Sequence, residues 1–193
     1  LKMYEEYTEL KNKKHSIDVI INENKFYKSE NERLKKLIDE KNVYSKEFLL
    51  SKILLDQQSP YLKSVIINKG FKHGIKLGIA VKEKSYFVGK IINVNFLTSR
   101  ILLASDLNSK IPVIIEPSGI NAILSGQGHN DYAELEFLPK LKKIKEGNIV
   151  YTSGVDGIIS EAIPIGKVFK KEDNLFVEFF VDFNQLKYVR VNK

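Results

Sequence analysis

Ser125, His129 and Asp131 fall within one seven-residue stretch, SGQGHND. These types make a nucleophilic relay when separate segments bring an exposed Ser, a base and an orienting acid into hydrogen-bond reach. Here they are neighbours in one Gly-containing segment between Leu124 and Tyr132, and the chain has no Gly-x-Ser-x-Gly elbow. A loop tip accounts for them. The stretch TSGVDG (Thr152 to Gly157) could turn backbone N–H groups toward an anion. No helix follows to add its dipole, and neither a Walker pattern nor Gly-x-Gly-x-x-Gly opening a helix occurs. Gly154 and Gly157 read as positive-φ positions of a β corner, and Pro164 as a strand start. Glu134 and Glu136 alternate with Ala133, Leu135 and Phe137, which puts both acids on the outer, solvated face of a strand rather than in a hydrolytic pair. His15, His73 and His129 are far apart and Cys is absent, so neither a His-based nor a thiolate metal site is expected. No catalytic, cofactor or metal residue is assigned.

The elements that carry these residues change character near residue 48. Residues 1–48 contain no Gly or Pro and are rich in Lys and Glu, which permits one long helix. Within it Ile17, Ile20, Asn24, Tyr27, Asn31, Leu34 and Ile38 follow spacings of 3 and 4 in alternation, the a/d seam of a coiled coil. Asn24 and Asn31 share the row of Ile17 and Ile38, where a buried Asn fixes register at a cost in stability. Upstream, Glu6 and Lys13 interrupt one row. The seam predicts self-association into a homodimer or larger assembly.

Beyond residue 48 the period drops to two or to short apolar runs. Strand-like pieces are Lys52–Leu55, Ser64–Ile67, Ala80–Lys82, Phe87–Val94, Arg100–Ala104, Ile111–Ile115, Ile120–Leu124, Tyr132–Leu138, Ile149–Tyr151, Ile165–Phe169, Phe176–Val181 and Lys187–Val191. Gly, Pro, Asn, Asp and Ser divide them, as in all-β proteins. An echo links Gly70–Val81 followed by Phe87–Ile91 with Gly154–Val168: a Gly turn, a small apolar strand, then Gly-Lys-Ile or Gly-Lys-Val. The fold class expected is mainly β with an N-terminal α-helical coiled coil and two small β-barrels. The expected division is 1–48 for the helix, 49–106 for a first barrel region that later strands complete, and 107–193 for a second.

The net charge of +7 invites a nucleic-acid partner. About +1 belongs to residues 1–48 (11 Lys/Arg, 10 Asp/Glu) and +6 is spread over the rest. The densest basic cluster, Pro139 to Lys145, has no aromatic residue to stack on a base. No nucleic-acid partner is expected. No apolar run nears the roughly 18 to 20 residues of a membrane span. A first residue Leu reads as a piece of a longer chain, with any anchor upstream. Two-barrel architecture keeps a trypsin-like serine hydrolase as the alternative class, although shared architecture carries no activity by itself.

The β part resembles the MreC family of rod shape-determining proteins. SVIINKGFKHGIKLGIAV (Ser64 to Val81) is similar to that family's first strand and Gly-rich turn. Val88 to Asp106 carries its Val-Gly entry and its Ser-Arg-Val-x-Leu-x-x-Asp segment, with Ile101 in place of Val. Leu135 to Pro139, Glu146 to Gly154 and Leu186 to Val191 follow in the family's order, so the resemblance covers about residues 64–191. Asn148 stands where the family often has Asp, and Ser160 and Ala162 replace a common Pro and Gly. The resemblance implies a non-enzymatic scaffold of bacterial cell elongation and peptidoglycan synthesis. It implies a single-pass inner-membrane anchor through an upstream helix, with this portion periplasmic. Its implied partners are MreD and the elongation transpeptidase/glycosyltransferase pair.

Overall fold

The computed structural model describes residues 2–37, 48–54, 63–129, 131–138, 144–155, 157 and 159–192. The chain divides into a unit of residues 1–45 and a unit of residues 46–193.

The first unit contains α1 (Lys2–Leu37), 36 residues with no Gly or Pro to break it, hence about 54 Å long. It is a single helix, and its pairing into a coiled coil is not part of the structure. No helix among the described residues is long and apolar enough to cross a membrane.

The second unit has twelve strands: β1 (Phe48–Leu54), β2 (Ser64–Ile67), β3 (Ala80–Glu83), β4 (Tyr86–Val94), β5 (Ser99–Leu103), β6 (Lys110–Glu116), β7 (Ile120–Gly126), β8 (Tyr132–Glu136), β9 (Ile149–Thr152), β10 (Pro164–Lys171), β11 (Asn174–Phe179) and β12 (Tyr188–Asn192). They close into two six-stranded barrels with neighbours in the orders β1-β12-β3-β4-β5-β2 and β10-β11-β8-β7-β6-β9. Every paired neighbour is antiparallel. The mainly β class and the two small barrels expected from the strand punctuation are what forms. Phe48, at the end of the segment read as helical, is the first residue of β1. The closing strand of the first barrel, β12, comes from the far end of the chain.

Each barrel is filled by inward side chains, as small barrels must be. Ile67, Val81, Phe87, Ile91, Ile101 and Val191 fill the first; Ile111, Val113, Ile115, Leu124, Val150 and Ile165 fill the second. Alternation sets which residues turn inward: β6 reads exposed or half-buried at Lys110, Pro112, Ile114 and Glu116 and buried at the three between them.

The Gly-Lys echo has a steric reason. A Cβ at Gly89 on β4 would lie 2.0 Å from the Leu102 carbonyl oxygen, and one at Gly166 on β10 would lie 2.0 Å from that of Glu178. The crowding backbone belongs to β5 at Gly89 and to β11 at Gly166; on its other side each glycine adjoins a register shift, at Val81/Lys82 in the β3–β4 pairing and at Pro164/Gly166 in the β9–β10 pairing. β4 and β10 also touch each other between the barrels, and Tyr86 packs on Phe180 with ring centroids 4.9 Å apart.

Two connections cross between the barrels. In residues 104–109, Ala104 N–H donates to Val88 O at 2.9 Å, Gly126 N–H to Ser109 O at 3.0 Å and Gly128 N–H to Ser105 O at 2.8 Å. Asp106, buried, accepts from Lys63 N at 2.5 Å on Oδ2 and from Asn108 N at 2.7 Å on Oδ1. The carboxylate thus ties the approach to β2 to the crossover. In residues 180–187, Phe180 N–H donates to Ile165 O at 3.0 Å and Phe183 meets Phe179 edge to face at 5.0 Å.

Candidate interaction surfaces

The polar groups first considered for chemistry are occupied in structural roles. Ser125 is buried on β7, and its Oγ accepts a hydrogen bond from Lys110 Nζ. Lys110 also donates to both carboxylate oxygens of Glu136, at 2.7 and 2.9 Å. An ammonium committed to a carboxylate has no lone pair with which to activate a hydroxyl. The His129 ring stacks on Tyr132 at 5.0 Å instead of approaching the serine. Lys110 holds the Glu136 carboxyl below its ordinary value, and the Ser125 hydroxyl adds to the effect against partial burial. Glu134 accepts from Gln127 Nε2 and Asn174 Nδ2, each at 3.0 Å. Both acids do lie on the outer face of β8, but as cross-strand ties rather than as free solvated groups.

The Thr152–Gly157 loop is a corner. Gly154 and Gly157 have φ of +69° and +67°. Two of its N–H groups are used within the fold: Ser153 N–H donates to Pro112 O at 3.1 Å and Gly157 N–H to Gly154 O at 3.0 Å. Thr152 Oγ1 donates to Ser160 O at 2.7 Å and accepts from Ile163 N at 3.0 Å. Among the described residues no three His, Cys, Asp or Glu gather where a metal could be held.

Several large apolar side chains are exposed as well. On α1, Ile17, Ile20 and Tyr27 are each more than half exposed and Asn24 is exposed beside them. Asn31 and Leu34 lie on the same helix, and Ile38 lies outside the described residues. Leu10, exposed, continues the row of Ile17, and the seam is not the helix's sole apolar feature: Val19, Ile21 and Phe26 are exposed off its rows. Phe26 meets Tyr27 edge to face at 5.8 Å. In the β unit, Phe48, Leu50 and Tyr188 stand outward on β1 and β12, with the Arg190 guanidinium 4.8 Å over the Phe48 ring.

A second apolar feature caps one end of the first barrel. A shallow groove of about 520 Å³ runs between the β2–β3 connection and the β4–β5 turn, lined by Phe71, Ile75, Leu77, Val94 and Phe96 with Lys76 and Asn95. Phe71 is 72%, Phe96 64%, Leu77 63% and Leu97 54% exposed. None of these was singled out from sequence. The available signal was bulky apolar residues in Gly- and Asn-bearing turns, where polar residues are usual.

Twelve antiparallel strands closed into two small barrels, with apolar side chains exposed on them, define a two-barrel β module. The family model for rod shape-determining protein MreC, barrel core, matches residues 53–193. The chain belongs to the MreC family. It is 35% identical over 127 residues to the cell shape-determining protein MreC of Cereibacter sphaeroides, covering 65% of this chain and 42% of that one. The chain thus spans less than half the length of that curated relative. Among solved structures it is similar to MreC of Listeria monocytogenes, with TM-score 0.81, 24% identity and coverage of 95% of this chain and 93% of that one. It is also similar to the major periplasmic domain of the cell shape-determining filament MreC, at TM-score 0.67 and 17% identity over 79% and 99% of the two chains. A third is MreC of Helicobacter pylori in complex with penicillin-binding protein (PBP2), at TM-score 0.53 and 12% identity over 76% and 99%. At these identities the structures establish a shared fold.

Proposed function

We propose that this chain is the periplasmic part of a membrane-anchored scaffold for bacterial cell elongation. It self-associates through the seam Ile17, Ile20, Asn24, Tyr27, Asn31, Leu34 and Ile38, and its barrels bind the elongation transpeptidase/glycosyltransferase pair and MreD. It turns over no substrate. The observation that carries this reading is the family's barrel core over residues 53–193, in a chain whose candidate nucleophile Ser125 is bonded to a lysine rather than to a base. The Helicobacter complex supports a transpeptidase as partner, and the filament-forming relative supports self-assembly. A trypsin-like hydrolase needs a base on its serine, which the Lys110–Glu136 pair does not supply. The test is calorimetric titration of the whole chain with the soluble ectodomain of the transpeptidase from the same cell. Saturable binding that survives Ser125→Ala is expected. No binding at tens of micromolar, the weak end of transient interfaces, contradicts the scaffold reading.

A further inference from the structure

We infer that the groove end of the first barrel is a docking surface for an anionic phospholipid bilayer. Two adjacent loops present it. Phe71 and Leu77 project from one, Phe96 and Leu97 from the other, each more than half exposed. Residues 68–79 carry Lys69, Lys72 and Lys76 and no acid; residues 92–98 carry no charge at all. Bulky apolar side chains flanked by lysines match the boundary between acyl chains and anionic headgroups, where the apolar groups bury and the ammonium groups stay at the phosphates. The His73 imidazole in the same loop is held below its ordinary pKa, first by desolvation and then by the neighbouring Lys69 and Lys72.

The loops are held in place for this. Phe71 N–H donates to Asn95 O at 2.9 Å and Lys72 N–H to Phe96 O at 3.1 Å, which zips one loop to the other. Gly70 lets them close, since a Cβ there would lie 2.2 Å from Asn95 O. Ile75, buried, plugs the barrel beneath. The apolar side chains therefore stand out with no refolding needed before they insert. A peptide partner fits less well. The barrel is closed, so it offers no strand edge for a peptide to pair with, and the groove is shallow where a side-chain anchor needs depth. A bilayer needs neither.

The chain contains no Trp, so Phe96→Trp makes a single reporter at an exposed site. With the whole chain, vesicles of phosphatidylglycerol should shift its emission to shorter wavelength and vesicles of phosphatidylcholine should not. Adding Lys72→Glu and Lys76→Glu should abolish the shift. In vesicle flotation, Leu77→Ser with Phe96→Ser should weaken binding roughly tenfold or more, with the thermal midpoint kept close to the parent's. The inference is overturned if the chain does not float with phosphatidylglycerol, or floats without a shift of the indole emission. It is also overturned if the shift follows protein concentration without vesicles, which marks a contact between copies. Self-association through α1 is read separately by sedimentation, so either result stands without the other.

Discussion

Ala162 adopts φ of +61°, a left-handed conformation that costs a residue with a Cβ about 1 kcal/mol relative to Gly. Its N–H donates to Thr152 O at 2.9 Å, which holds it there. The resemblance to the MreC family implies Gly at this position, and a φ of this sign is one that favours glycine. Ala162→Gly should raise stability by about 1 kcal/mol in urea unfolding; a loss would show that the turn gains something from the methyl group. Glu136 gives a pH test. Its carboxyl is lowered by the Lys110 hydrogen bond and charge together with Ser125. At neutral pH it is ionised in both folded and unfolded chains, and the pairing contributes fully. As pH falls, the unfolded chain takes up a proton first, so the contribution drains away between the ordinary Glu value and the lowered folded one. Glu136→Gln should therefore be less stable than the parent at neutral pH, and the gap should close in acid. A gap independent of pH contradicts the pairing. The spacing of Glu134 and Glu136 gave their face, but not their partners: Lys110 and Asn174 arrive from 26 and 40 residues away.

At the scale of elements, strand positions were largely legible because alternation and β-branched runs are local. Ser64–Ile67 agrees at both ends with β2, and Ile111–Ile115 falls one residue short at each end of β6. The segment Tyr132–Leu138 ran two residues past β8, because Phe137 looks like strand by type yet turns out with φ of +60°. What local pattern lacks is pairing. Nothing near Tyr188–Asn192 says that β12 lies between β1 and β3, on the opposite side of the second barrel in sequence. The repeated Gly-Lys device was visible, while its cause, a carbonyl 2.0 Å from the missing Cβ, is a contact between strands. Gly166→Ala should cost about 1–3 kcal/mol in thermal or urea unfolding, since backbone must move to admit the methyl group. An unchanged midpoint would mean β11 already gives way there.

For the whole molecule, the helix and the β unit ask different things of their surroundings. The barrels bury their own cores, with Ile67, Val81 and Phe87 fully enclosed in one and Val113, Ile115 and Leu124 in the other. Such a unit needs no partner to fold. α1 leaves Ile17, Ile20 and Tyr27 exposed, and a helix in a protein draws most of its stability from packing its apolar side chains rather than from propensity. The heptad spacing is legible because it is a local repeat; what would cover those residues is a matter of pairing, which no local pattern carries. The measurement that tests the account most directly is sedimentation equilibrium of the whole chain beside Ile20→Asp/Tyr27→Asp/Leu34→Asp. Burying each of those side chains contributes ~1.5–3 kcal/mol, so the triple change should weaken association at least about a hundredfold. The parent should sediment as a multiple of 22.2 kDa and the variant as 22.2 kDa with its β circular dichroism intact. Equal masses for the two chains would contradict the seam, and with it the proposal that this protein acts by assembling.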